Sequence, residues 1–185
     1  MASVEAFIFL PLCMSFSGAL QLAGFVSPGW IRFKNRFHTI HTGIWYTLTC
    51  TETCETSSVY KDHEAGSYHP YRPWQIQTTI ALLACVIAVI CLIKTRNTTG
   101  AIMVKWLTNG AYCSLLSGIL SLVPAGTVAD IVRTGEHGED DMLFPYSLLL
   151  TGLGGILALV ISLISLYSVQ SGQTTNEPGV HLSSM

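Results

Sequence analysis

Residues 76–93 read IQTTIALLACVIAVICLI, eighteen positions without one charged side chain. As an α-helix such a run rises about 27 Å, close to the ~30 Å hydrocarbon thickness of a bilayer. It offers almost no polar face to water, unlike a helix at the surface of a soluble bundle. Three more apolar stretches flank it: Ala6 to Val26, Trp106 to Val128 and Leu143 to Val169. Lys and Arg are absent from their cores, as the cost of burying charge in hydrocarbon requires. Backbone amides in lipid must find partners within their own segment, which selects helices. The reading is one domain over 1–185, with spans at 5–26, 76–93, 106–128 and 143–169. Loops fall at 27–75, 94–105 and 129–142, and a tail at 170–185. The first span is read as a retained helix and not a cleaved signal, because Glu5 and no basic residue precedes it.

Composition agrees. Half of the 185 residues are hydrophobic and only 11% are charged, against about 25% in soluble domains. A net charge of -2 gives no electrostatic footing for nucleic acid. The link 94–105 carries Lys94, Arg96 and Lys105 with no acidic residue, so it and both termini are expected in the cytoplasm. The sequon Asn97-Thr98-Thr99 is then expected to go unused. Cys13, Cys85, Cys91 and Cys113 lie in apolar stretches, where a thiol behaves as a small hydrophobe. Cys50 and Cys54 form a loop pair, expected as a disulfide on an oxidising face; a free thiol pair or half of a zinc site are the alternatives.

The 27–75 loop is the informative element. Ile31, Phe33 and Phe37 alternate with Arg32, Lys34 and Arg36, and Ile44, Tyr46, Leu48 and Cys50 alternate with Trp45, Thr47 and Thr49. Period two in β-branched and aromatic residues predicts strands. Residues 56–73, rich in polar groups with Gly66 and two prolines, are expected mostly as loop. So small a sheet lacks a core of its own and must lean on the helix ends.

Trp30, Gly43-Ile44-Trp45, Cys50 and Cys54 resemble the W…G-L-W…C…C signature of the claudin superfamily. That group holds claudins, peripheral myelin and epithelial membrane proteins, and gamma-type auxiliary subunits of channels and receptors. The resemblance covers most of the chain. It implies a membrane all-α four-helix bundle carrying a small extracellular antiparallel β-sheet. By resemblance, Trp30 seats the loop on the bundle, and Gly43, Ile44 and Trp45 form the signature turn and anchor. Cys50 and Cys54 are the bridge, and Arg72 matches a basic residue before the second helix. The chain departs from the claudin pattern in Ile44 for leucine, in the short interval between the cysteines, and in ending Ser183-Ser184-Met185 instead of Tyr-Val.

Small residues recur at spacing four: Ser15, Ala19 and Ala23; Ser114 and Gly118; Gly154, Ala158 and Ser162. Such stripes let helices approach closely in lipid. Gln21 and Asn109 are expected to find partners inside the bundle. No catalytic motif, metal-ligand set or cofactor loop is present in the sequence, and His38, His41, His63 and His69 read as solvated loop residues. Asp130, Glu136, Glu139, Asp140 and Asp141 concentrate charge in the second outer loop. With Arg32, Lys34, Arg36 and Arg72 they make a candidate recognition or ion-selectivity surface, and the acidic loop of one molecule is expected to face the basic residues of another. The resemblance implies a plasma-membrane junction and adhesion protein, self-associating within a membrane and between cells to form or regulate a paracellular barrier or ion pathway. An auxiliary subunit of a channel or receptor is the second function it implies. Besides such partners, only the lipid bilayer is expected.

Overall fold

A computed structural model describes residues 6–34, 38–59, 71–134, 141–142 and 145–174. Its helices are α1 (Ala6–Val26), α2 (Tyr71–Arg96), α3 (Gly100–Thr134) and α4 (Tyr146–Thr174). Between α1 and α2 run β1 (Ile31–Lys34), β2 (Thr39–Thr42), β3 (Tyr46–Cys50) and β4 (Cys54–Ser58), and the two-residue β5 (Asp141–Met142) precedes α4. The strands pair antiparallel in the order β4-β3-β2-β1-β5. All four helices are long and apolar enough to cross a membrane. They form a ring in which α1 packs on α2 and α4, α3 packs on the same two, and α1 lies diagonally from α3.

α2 and α3 outrun the apolar stretches that announce them. α2 continues to Arg96 and α3 begins at Gly100, so the expected link at 94–105 contracts to a turn at Asn97–Thr99. The turn closes through Asn97 N–H to Lys94 O at 3.1 Å. Gly100 follows it with φ of +62°, a left-handed conformation that other residues adopt at a cost. At 35 residues α3 is about 52 Å long, well beyond the hydrocarbon, and it carries Asp130 inside the helix instead of in a loop starting at 129. Hydropathy marks where lipid is; intrahelical hydrogen bonding continues until the chain must turn.

Polarity is inverted relative to a soluble bundle. Outward positions are large and apolar on every helix, including Phe16, Leu83, Ile119 and Leu163, the last 65% exposed. Many inward positions are small or hydroxylated: Ser17, Ala88, Ala111, Ser114, Ser117, Ala158 and Ser162 are fully buried, alongside Leu10, Met14, Leu92, Leu107 and Ile161. This pattern suits lipid outside.

The buried polar groups tie the ring across its centre. Gln21 on α1 donates from Nε2 to the hydroxyls of Ser17 and Ser117, each at 3.2 Å. Its Oε1 accepts from Ser117 at 3.2 Å and Ser121 at 2.9 Å, both on α3. Ser17 donates to Gly154 O on α4 at 2.7 Å, and Ser162 on α4 donates to Ala111 O on α3 at 2.8 Å. A methyl at Gly154 would meet Gln21 Cγ at 2.8 Å and Ser17 O at 2.9 Å, so that glycine sets the α1–α4 separation. Two buried polar atoms lack a hydrogen-bond partner among the described residues, the hydroxyl of fully buried Ser165 and Gln77 Oε1.

Two sequence expectations are corrected. The stripe Ser15, Ala19 and Ala23 faces outward; α1 buries Leu10, Met14, Ser17, Gln21 and Gly24 instead. Asn109 is exposed on α3 and takes no part in the core. The stripes Ser114/Gly118 and Gly154/Ala158/Ser162 are buried, as expected.

Gln21→Leu removes both halves of the central carboxamide and leaves two serine hydroxyls on α3 without their acceptor. It is expected to lower stability by about 1–3 kcal/mol, since intramembrane hydrogen bonds average ~0.6 and reach ~1.7 kcal/mol each. Asn109→Leu is expected to be neutral or stabilising. Unfolding midpoints in mild detergent titrated with dodecyl sulfate check both.

Candidate extramembrane interaction surface

The sheet is seated where α1 runs out of intrahelical acceptors. The last four carbonyls of any helix lack backbone donors, and here the following loop supplies several. Ser27 N–H reaches Ala23 O at 3.2 Å, the Trp30 indole N–H reaches Gly24 O at 2.8 Å, and the Tyr46 hydroxyl reaches Val26 O at 3.2 Å. Trp30 is thereby both cap and plug, only 1% exposed.

The seat continues onto the other helices. At the start of α4, Ser147 donates its N–H to Gly29 O at 3.2 Å, while its hydroxyl accepts from Gly29 N–H at 2.8 Å and bonds the Ser27 hydroxyl at 2.6 Å. Trp30 N–H donates to Thr42 O at 3.1 Å, and Gly43 N–H to Tyr46 O at 2.9 Å. The bend Gly43-Ile44-Trp45 between β2 and β3 then turns Ile44 wholly inward. Gln75, in the first turns of α2, donates from Nε2 to Ile44 O at 2.6 Å. Trp30, Ile31, Ile44 and Val128 form a second apolar cluster, flanked by Phe25, Trp74 and Leu148. Every helix contributes to it. Trp45 points the other way, 41% exposed, its ring edge-on to Phe25 with centroids 5.1 Å apart. That position suits a membrane-boundary anchor.

Farther out, Cys50 and Cys54 are bonded and sit directly opposite each other across the β3–β4 hairpin. The three residues between them make a turn closed by Thr51 N–H to Thr53 O at 3.1 Å. The disulfide alternative is therefore the one the structure contains. β2 and the extension of β4 to Ser58 are strands that alternation in 31–37 and 44–50 did not announce; part of the 56–73 segment expected as loop is thus strand.

The charged residues are distributed differently from the expectation of free basic and acidic faces. Arg32 is half-buried, donates from Nε to His41 Nδ1 at 3.1 Å, and lies 5.3 Å from the centroid of the Tyr146 ring. Lys34 is exposed and stands in register with Thr39 on one side and Asp141 on the other. Acidic loop and basic strand thus meet within one chain at that pair. Arg72 is exposed in the first turn of α2, and Asp130 is exposed on α3. Arg36, Glu136, Glu139 and Asp140 lie outside the described residues. His41 is not a solvated loop histidine: it sits half-buried in β2, opposite Arg32. Among the described residues no cluster of His, Cys, Asp or Glu could hold a metal. Gln75, Ser147, Gly29 and Tyr146 are seat residues that the sequence did not single out. Gln75 and Ser147 work through short polar side chains, Gly29 through its backbone and Tyr146 through its ring face, and only the helix-end position of Ser147 and Gln75 hints at it.

Burial, then the Arg32 charge, push the His41 pKa below its ordinary 6.5. The neutral imidazole accepts from Arg32, and the imidazolium would oppose it. Stability from this pair is therefore present above about pH 6.5 and falls as pH drops below 6.5 toward the depressed folded-state value. Thermal midpoints in detergent between pH 7.5 and 5 are expected to show a small fall that His41→Asn flattens. Trp30→Phe loses the bond to Gly24 O, at about 1–2 kcal/mol, and Trp30→Ala adds a cavity for about 3–5 kcal/mol in all; the same midpoints rank them.

No protein-family model matches this chain, and no curated protein matches it. Its architecture is that of a multi-pass membrane protein with a disulfide-bearing sheet seated on one end of the bundle.

Proposed function

We propose that this chain is a claudin-like adhesion protein that self-assembles at cell–cell contacts and forms or regulates a paracellular barrier or ion pathway. The observation that carries the reading is the seat. The residues of the signature, Trp30, Gly43 and Ile44, fix a five-stranded sheet rigidly against all four helix ends. A sheet held this way keeps its outer surface at a set height and angle, which lateral and head-on contacts between molecules need. The disulfide favours placing the sheet in an oxidising exterior, and the basic turn at the far end favours cytoplasm. On that orientation both termini are cytoplasmic, in the plasma membrane. Lys34, Glu52, Glu55, Arg72 and Asp130 are exposed charges of the described residues on that side, where small ions would meet them. Self-contact would need exposed apolar residues on the outer surface, such as Phe33, Phe37, Met142 and Leu143; Phe33 and Met142 stand in register between β1 and β5, and Phe37 and Leu143 lie outside the described residues.

A second reading, an auxiliary subunit packed against a channel or receptor, is favoured by the outward stripe Ser15, Ala19 and Ala23 on α1. Beside it, Gly18 and Leu22 with Leu82, Val86 and Ile90 of α2 border an apolar groove of about 350 Å³ on the lipid face.

Expression of the tagged chain in cells lacking junctional strands tests the first reading. Continuous strands at contacts by freeze-fracture are the expected outcome. A diffuse, strand-free surface protein would sink autonomous assembly and turn attention to membrane proteins that co-purify. The same cells test the orientation: Asn97 is expected to remain unmodified, and glycan there would invert the topology.

A further inference from the structure

The end of the bundle opposite the sheet is built differently. Among the described residues its charges are Lys94, Arg96 and Lys105, all exposed. The described carboxylates, Glu52, Glu55, Asp130 and Asp141, all belong to the sheet side of the chain. A pocket of about 390 Å³ opens here along the last turns of α2. Its walls change character within two helical turns. Ile90 and Ile93, each about half exposed, face outward with the lipid-facing surface of the helix. Lys94, Asn97 and Thr98 close it at the turn. The Thr98 hydroxyl gives its proton to Lys94 O at 3.0 Å, which leaves its lone pairs and the exposed Asn97 carboxamide at the rim. The Lys94 ammonium stands 5.4 Å from the centroid of the Trp106 ring, an indole at the start of α3 where aromatic side chains mark a membrane boundary. The first turn of α3 carries no acidic residue, so its amide dipoles add to the positive potential instead of being neutralised.

A soluble anion would match the cations but leave Ile90 and Ile93 without a purpose in the pocket. A neutral lipid would match the isoleucines but not the cations, which no described carboxylate on this side offsets. A molecule with hydrocarbon and a phosphate less than a helical turn apart satisfies both. We propose that this pocket binds one anionic phospholipid, with its phosphate held by Lys94 and the Asn97 carboxamide, Arg96 and Lys105 adding attraction from outside the pocket, and an acyl chain lying along Ile93 and Ile90. The site is independent of the function proposed for the sheet and of which way the chain faces, since it is defined by the bundle end alone. Bound there, the lipid would neutralise the turn and brace α2 against the start of α3.

The full chain, purified in a neutral detergent, is mixed with phosphatidylglycerol and phosphatidylcholine of identical acyl chains and analysed by native mass spectrometry. One phosphatidylglycerol per chain is expected to be retained in preference to phosphatidylcholine. Lys94→Gln and Arg96→Gln are each expected to lower that retention roughly fivefold, following the attraction typical of one basic residue at an anionic surface. Both positions are exposed, so folding is not at stake. Lys34→Gln, at the sheet end, is expected to change nothing. Equal retention of the two lipids by the parent chain overturns the proposal, as does an equal loss from Lys34→Gln, which would mean diffuse attraction. Displacement of phosphatidylglycerol by millimolar inorganic phosphate would also overturn it, by showing an anion site in which the hydrocarbon has no part.

Discussion

The carboxamide of Gln21 on α1 spans the diagonal of the ring to α3. It accepts from two α3 hydroxyls and donates to Ser117 and to Ser17, which in turn reaches α4. In hydrocarbon there is no hydrophobic force between helices, so packing and such bonds decide which faces meet. A single carboxamide can serve several partners only if they are small and close. Ser117, Ser121 and Gly154 provide that closeness, and a larger residue at Gly154 would push α1 away from the hydroxyls on both neighbours. Polar satisfaction and close approach are therefore one constraint here.

That constraint reaches the sheet through α1. With the helix held by Gln21, its last carbonyls arrive at a fixed place, and Trp30 and Tyr46 bond to them from the loop. Ile44 is then positioned to fill the space between Trp30 and Val128 while Gln75 takes its carbonyl. The disulfide is distant from this seat. It staples one hairpin and does not attach the sheet to the membrane domain, so the attachment rests on backbone acceptors at the helix ends and on one apolar plug.

Much of this was legible in the sequence because hydropathy is a property of single stretches. The four spans, the strand character around residues 31 and 46 and the cysteine pair all follow from local pattern; the seating role of Trp30 and Ile44 came only from the resemblance. What the sequence could not rank was the choice between two faces of one helix. α1 carries small residues both at Ser15, Ala19 and Ala23 and at Ser17 and Gly24, and spacing alone treats the two sets alike. The set containing Gln21 wins because an amide inside lipid must be paired, and its partners are on α3 and α4. The same reasoning placed Asn109 inside, but no partner of α3 faces that side, and it remains outward. Helix ends were also invisible: charge at Lys94, Arg96 and Asp130 ends a hydrophobic span but does not end a helix.

The distribution of charge follows from the same seat. Pairing β1 with β2 sets Arg32 beside His41, and the seat at the start of α4 brings Tyr146 under its guanidinium. Pairing β1 with β5 sets Lys34 beside Asp141. Two of the basic residues that the linear sequence presents as free are thus already engaged or faced by their own chain. An outward electrostatic surface on this protein is consequently weaker in the β1 region than the run of Arg32, Lys34 and Arg36 suggests. In the assembly we propose, the shape and height that Trp30 and Ile44 impose on the sheet would matter more than a basic face seeking an acidic one.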